Sequence, residues 1–193
     1  DIEWLKETTK QLQEAPNIIP VHTDILDFDL NRIESNCKIV ANIPYYLSAK
    51  IIQYCVEYRG KIDSMTLMVQ QEFAQKLMAK PNTKEYGSLS IYFQTYFEFT
   101  QSFSVSKNCF YPKPKVDSMV ITAKKRKNIA PGIGHYFELF IRTIFHHKRK
   151  SIWNNLGLSQ SFDINPDLEQ HDWFVANRKK RADSMSIQEL VDI

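Results

Sequence analysis

Glycine is scarce in this 193-residue chain, which has five. The sole GxG, Gly132-Ile133-Gly134, lies in a basic linker with no strand before it, so no glycine loop is placed to let the backbone approach a nucleotide. Cysteine is nearly as rare: Cys37, Cys55 and Cys109 are odd in number and too far apart for a zinc knuckle or a CxxC redox pair. A reduced, cytoplasmic compartment is expected. No apolar run reaches the roughly 20 residues that a membrane helix needs, and "DIEWLKE" lacks a signal-peptide layout, so no membrane partner is expected. The chain opens on Asp1 rather than Met, directly in a helix-like pattern (Ile2, Leu5, Leu12), which predicts a fragment preceded by further residues.

Apolar material is plentiful, with 43% hydrophobic and 12% aromatic residues, enough for a real core. The net charge of +3 is unevenly spread. Residues 1–123 carry 13 Lys and Arg against 14 Asp and Glu, a balance of −1, whereas residues 124–193 carry 12 against 8, a balance of +4. A basic C-terminal part beside a neutral body suits either a polyanion partner or an ordinary solvated surface.

Periodicity predicts strands at 17–24 ("NIIPVHTD"), 38–43 ("KIVANI") and 62–70, with helices at 48–58 and 71–80, the latter stopped before Pro81. Such alternation argues for a mostly parallel sheet with helices on its faces. A helix is expected over 89–97. "FEFTQSFSV" is expected to be extended, with Phe97, Phe99, Phe103 and Val105 on one face. A proline-spaced loop and a strand follow in 109–125. The charged run at 124–135 marks a boundary, giving domains 1–125 and 126–193. Apolar residues at 136, 137, 140, 141, 144 and 145 predict an amphipathic helix over 136–156 within a small helical second domain.

Two loops carry candidate chemistry. In "ANIPYY", Asn42 closes a strand, Pro44 holds a backbone carbonyl outward, and Tyr45 offers a ring face. An aromatic amine is a poor nucleophile because its lone pair is delocalised. Two acceptors on its N–H groups favour the pyramidal amine of a transition state, while a ring binds the extruded base by stacking. "FYPKPKVDS" supplies a second aromatic loop, stiffened by Pro112 and Pro114, in which Phe110 or Tyr111 is expected either opposite Tyr45 or, as in an ordinary turn, packed in the core. Asp24 closes another expected strand, and a ligand crevice at strand carboxyl ends would join it to Asn42. An Asx turn is the plainer reading for Asp24 alone. The clusters "HHKRK" (146–150) and "NRKKR" (177–181) suit phosphate contacts. The paired histidines lack a third ligand, so no metal is expected.

"NIPYYLSAKII", "MVQQEFAQKLMAKPNTKEYGSLSIYFQTYF", "FYPKPKVDS", "IRTIFHHKRKSIWNNL" and "NRKKRADSMSIQEL" together resemble the ribosomal RNA adenine dimethyltransferases, in order and spacing across essentially the whole chain. "QQEFAQKLMAKPNTKEYGSLS" is more similar to the small-subunit type than to the large-subunit, macrolide-resistance type. The resemblance implies an α/β class I methyltransferase (Rossmann-like) fold followed by a small all-helical, RNA-binding domain. It also implies S-adenosylmethionine-dependent dimethylation of adenine N6 in small-subunit rRNA, with a role in ribosome maturation. Asn42 and the Pro44 carbonyl would hold the target amine, and Tyr45 and Phe110 would sandwich the base. Asp24 and Ile25, with Asn42 near the transferred methyl, would contact the donor. Lys148, Arg149, Lys150, Arg178, Lys179, Lys180 and Arg181 would meet RNA phosphates.

The family's first strand and glycine-rich donor loop have no counterpart here, and Asp1 suits the second acid of its E-x-D motif. Weak or no donor binding by this chain is therefore expected. The resemblance implies small-subunit rRNA or an assembling small subunit as the partner, and a monomer is expected. A non-catalytic RNA- or DNA-binding relative is the alternative from another class.

Overall fold

The computed structural model describes residues 18–129, 134–159 and 170–192. The opening helix pattern, Asp1 and most of the GxG fall outside them.

Four strands form one sheet: β1 (Cys37–Asn42), β2 (Ile62–Gln70), β3 (Phe97–Val105) and β4 (Ser118–Lys125), in the order β1-β2-β4-β3. Only β1 and β2 are parallel, joined through helix α1 (Ser48–Glu57). The β2–β4 and β3–β4 pairs are antiparallel, so the described sheet is mixed rather than mostly parallel. The reason is the connection: no helix long enough for a crossover separates β3 from β4, and strands joined by a loop close antiparallel. The expected strand at 17–24 is not formed over its described residues. Ile18, Ile19 and Val21 are exposed, and no described strand supplies the ladder partners that an extended backbone needs.

Helices α2 (Gln71–Met78) and α3 (Ser88–Tyr96) join α1 on one face of the sheet. Their Ile52, Val56, Leu77, Phe93 and Tyr96 meet Met65, Leu67, Val69, Ile121 and Ala123, the inward positions of β2 and β4. A large side chain buried this way contributes about 1.5–3 kcal/mol. The four phenylalanine and valine positions of β3 do not share one face. A bulge between Phe99 and Gln101 shifts the register, so Phe97 and Phe99 lie opposite Lys125 and Ala123, whereas Phe103 and Val105 lie opposite Val120 and Ser118. One extra residue swaps every later side chain to the other face, and Phe103 is exposed.

The C-terminal part comprises α4 (His135–Ile144), α5 (Ile152–Gly157), α6 (Asp172–Asn177) and α7 (Ile187–Val191). The helix expected over 136–156 is thus two, parted by a turn. Asn155, almost fully buried, holds that turn: its Oδ1 accepts from the His147 amide, and its Nδ2 donates to the carbonyls of His147, Lys150 and Ser151. This part shares its core with the body, because Ala79, Tyr86 and Ile91 pack with Phe140, Ile144, Ile152, Trp173 and Met185. The Tyr86 hydroxyl donates to the Met185 carbonyl at 3.0 Å, and the Asn82 amide to the Asp183 carbonyl at 2.8 Å.

Candidate active site

Strand β1 delivers Asn42 to its carboxyl end, beside Met68 of β2, and the Ile43 amide closes the ladder on the Met68 carbonyl at 3.0 Å. Alternation along β1 turns Lys38, Val40 and Asn42 away from the helices, and all three are exposed. Pro44 then breaks the strand. Its carbonyl accepts the Leu47 amide at 3.0 Å and, more loosely, the Ser48 hydroxyl at 3.4 Å, starting a 3-10 turn at Tyr45–Leu47 that runs into α1. The carbonyl expected to face an amine is therefore engaged in this turn, with the longer bond the more readily exchanged.

Tyr45 is half-buried, and its hydroxyl lies 2.8 Å from the Ser118 hydroxyl, at the fully buried start of β4. Asp117, one residue earlier, accepts the Lys107 amide on its carboxylate at 2.8 Å and the Gln71 amide on its carbonyl at 3.0 Å. These bonds fix both ends of the loop that carries Phe110 to Pro114 against the loop that carries Asn42 to Tyr45. Sequence reasoning quoted the "VDS" of this loop but gave Asp117 and Ser118 no role. Polar residues closing an aromatic-proline loop were the available signal.

Between the loops lies an open cleft of about 340 Å³, lined by Asn42, Ile43, Pro44, Tyr45, Met68, Phe110, Tyr111, Pro112 and Pro114. Tyr45 and Phe110 both border it without ring contact between them, which leaves a slot for a flat group. Among the described residues the Asn42 side-chain amide has no hydrogen-bond partner. The cleft thus offers a free amide dipole, two aromatic faces and an apolar floor at Met68. Among the described residues, no carboxylate, histidine or lysine lines it.

Asp24 and Ile25 are not brought to this cleft. Asp24 is exposed, and its Oδ1 accepts the Leu26 amide at 2.9 Å, an Asx turn reinforced by the Asp27 amide on the Asp24 carbonyl at 3.1 Å. The other carboxylate oxygen has no described partner, so the residue still fits an exocyclic amine from a donor. Further along the same segment, the Asn31 amide holds the Asp29 carboxyl below its ordinary value.

The two basic clusters, far apart in sequence, meet in space. Ser151 and Arg181 form a β-bridge, the Ile152 amide donates to the Lys180 carbonyl at 2.9 Å, and the Trp153 amide to the Arg178 carbonyl at 3.1 Å. Arg181 pairs with Asp183 at 2.6 Å and Lys180 with Glu189 at 3.5 Å, while Lys148 donates to the Lys84 carbonyl. Arg149, Lys150, Arg178 and Lys179 have no carboxylate partner among the described residues. Desolvation, aided by Lys150 and His146, keeps the His147 imidazole below its usual value.

All 193 residues match the family model described as ribosomal RNA adenine dimethylase. The ribosomal RNA small subunit methyltransferase A of Chlorobium luteolum is 36% identical over 183 residues, 94% of this chain and 64% of that protein. The protein of the same name from Clostridium acetobutylicum is 35% identical over 190 residues, 94% of this chain and 67% of its own length. The chain therefore spans about two thirds of the length of the curated relatives it matches. Among solved structures, a dimethyladenosine transferase from Plasmodium falciparum superposes with a TM-score of 0.77 at 20% identity, covering 98% of this chain and 78% of that one. The 23S rRNA methyltransferase ErmE superposes with a TM-score of 0.66 at 22% identity, covering 100% and 80%. These likenesses establish a shared methyltransferase fold. Among the described residues, no helix is long and apolar enough to cross a membrane.

Proposed function

The chain belongs to the ribosomal RNA adenine dimethylase family, and from that premise we propose that it carries the adenine-accepting and RNA-holding part of an S-adenosylmethionine-dependent N6-dimethyltransferase of small-subunit rRNA, active in ribosome maturation. The observation that carries this reading is Asn42: an amide without a described partner, at the carboxyl end of a sheet strand, in a cleft bordered by two unpaired aromatic faces.

In this reading the target adenine leaves its stack and enters between Tyr45 and Phe110, where each ring face replaces a stacking neighbour. Asn42 Oδ1 accepts one N–H of the exocyclic amine, and the Pro44 carbonyl takes the other in place of the Ser48 hydroxyl. Both acceptors favour the pyramidal nitrogen and its growing positive charge. S-adenosylmethionine, when bound, would supply an electrophilic methyl to the amine nitrogen that Asn42 and the Pro44 carbonyl hold. The proton shed by the methylated amine is assigned to water, since no general base lines the cleft among the described residues. Positioning and polarisation therefore carry the catalysis. Asp24 and Ile25 are assigned to the donor's adenine ring, with Asn42 shared between donor and acceptor.

Residues 1–125 form the methyl-transfer domain in this assignment and residues 126–193 the RNA-holding one. Lys148, Arg149, Lys150, Arg178, Lys179, Lys180 and Arg181 then lie on one surface that meets phosphates without reading sequence. Every residue invoked comes from one chain, so a monomer suffices, working on rRNA or an assembling small subunit in the cytoplasm. The names of the Chlorobium and Clostridium relatives, at 35–36% identity, favour the small-subunit target over the large-subunit one.

The test is transfer of labelled methyl from S-adenosylmethionine by the full-length protein to unmodified small-subunit and large-subunit particles offered together, followed by nucleoside mass spectrometry of each RNA. Dimethyladenosine in small-subunit RNA is expected. Label confined to large-subunit RNA contradicts the target, and salt-sensitive RNA binding without any transfer favours the non-catalytic relative.

A further inference from the structure

The cleft holds one more aromatic ring than an adenine sandwich uses. Tyr111 is wholly exposed, at 102%, yet it borders the cleft beside Phe110. The backbone at Phe110 is extended (φ −117°, ψ 148°), and in extended backbone successive side chains point to opposite sides. Phe110, half-buried, turns inward; Tyr111 turns outward. The two rings therefore differ in setting, Phe110 half-buried in the cleft wall and Tyr111 open to solvent at its edge.

The loop around Tyr111 is built to hold a ring still. Pro112 and Pro114 restrict its backbone, and Asp117 ties its far end to Lys107 and Gln71. A ring presented by a stiff loop loses little freedom when a base lands on it. Lys113 and Lys115 follow it in the same loop, both exposed and without a carboxylate partner among the described residues. Aromatic faces interleaved with cations are the pattern that single-stranded nucleic acid uses, bases on rings and phosphates on lysines. Tyr46 makes the contrast: it is also exposed, at 85%, but does not line the cleft.

We propose that Tyr111 is a second, outer base platform, which stacks the nucleotide adjoining the target adenine while Lys113 and Lys115 hold the phosphates beside it. This rests on the reading of the cleft as an adenine site, and it makes Tyr111 a residue that senses the neighbouring base.

The test measures equilibrium binding of the chain to single-stranded RNA heptamers with a central adenine. They carry all bases, an abasic nucleotide on either side of the centre, or an abasic centre. Tyr111→Ala is expected to weaken the intact heptamer roughly tenfold and to cause no further loss once the adjoining base on one side is gone, whereas Tyr111→Phe retains full affinity. Tyr46→Ala should weaken intact and abasic heptamers alike. Equal losses for Tyr111→Ala on intact and adjoining-abasic RNA overturn the proposal.

Tyr45→Ala with the abasic centre separates the two levels of the argument. If that pair is coupled and the Tyr111 pair is not, the outer platform alone is wrong. If the Tyr45 pair is merely additive, or the intact heptamer does not bind, the adenine reading of the cleft falls and the platform with it. Tyr111 is fully exposed, so a thermal melt of Tyr111→Ala should match the parent and exclude misfolding as the cause.

Discussion

The turn at residues 42–47 and the turn at residues 24–29 carry the two halves of the proposed chemistry, and they are held in different ways. The first is fixed from far along the chain: the Tyr45 hydroxyl meets the buried Ser118, and Asp117 anchors the facing loop to Gln71. The second is fixed at Asp24 by its own neighbours, Leu26 and Asp27, while its longer ties come further along, at Phe28, whose carbonyl accepts the Tyr54 hydroxyl at 2.6 Å, and at Asp29, whose carboxylate the Tyr58 hydroxyl approaches. Tertiary bonds set the cleft before any ligand arrives. Local bonds leave the Asp24 carboxylate on an exposed turn, free to adapt. The Asn42–Tyr45 turn is therefore preset by long-range bonds and Asp24 by local ones, a difference that matters where positioning supplies the rate.

The largest effect expected along this divide is at Asn42. In the full-length protein, Asn42→Ala should lower methyl transfer about 100-fold or more while RNA affinity stays within about twofold, because the substitution removes an acceptor for the amine and leaves both ring faces. Parallel loss of affinity and transfer would show that Asn42 only supports the cleft.

A smaller effect is expected for Tyr45→Phe. It keeps the stacking face but leaves the buried Ser118 hydroxyl without its partner, a cost of about 1–2 kcal/mol in chemical denaturation. Adding Ser118→Ala should recover part of it. If Tyr45→Phe costs nothing, the hydroxyl pair does not hold the cleft.

Asp24→Ala should be milder still for the fold, below about 1 kcal/mol, since it removes one hydrogen bond on an exposed turn. Its measurable consequence belongs to the donor, as weaker S-adenosylmethionine binding by calorimetry on the full-length protein. A large loss of stability would mean that this turn is as tightly built as the cleft.

Acid should separate the two turns as well. The Asp29 carboxyl is held below its ordinary value of 3.8, so the stability it contributes is present above that pH and is lost as pH falls through the depressed value. The Tyr45–Ser118 pair has no carboxylate. Hydrogen exchange at the Asn31 amide should therefore accelerate below about pH 4 in a way that Asp29→Asn abolishes. Exchange at Asn31 unchanged down to the acid transition of the whole protein would contradict this.

The residues of the cleft were legible in the sequence because each is chemically unusual where it stands: an amide and a proline ending an apolar run, aromatic rings beside spaced prolines. The means of holding them was not, because Tyr45 and Ser118 are 73 positions apart and a single hydroxyl pair leaves no periodic trace. Helices at 48–57, 71–78 and 88–96 followed their apolar spacing. Beyond them, local pattern failed where tertiary contacts decide. The bulge after Phe99 moved Phe103 and Val105 to the other face, and the buried amide of Asn155 broke an apparently continuous helix into two. Residues 17–24 read as a buried strand, yet the described part, 18–24, is not one, because burial requires a neighbour that no spacing within the segment specifies.

The central claim, that the cleft receives an adenine-like base between Tyr45 and Phe110, is tested most directly by fluorescence of single-stranded RNA carrying 2-aminopurine at the target position. Stacking on both rings predicts quenching when this chain is added, which Tyr45→Ala or Phe110→Ala relieves and which is weaker when the probe sits three nucleotides away. Emission that is unchanged, or quenched equally at every position regardless of Tyr45 and Phe110, would contradict the account.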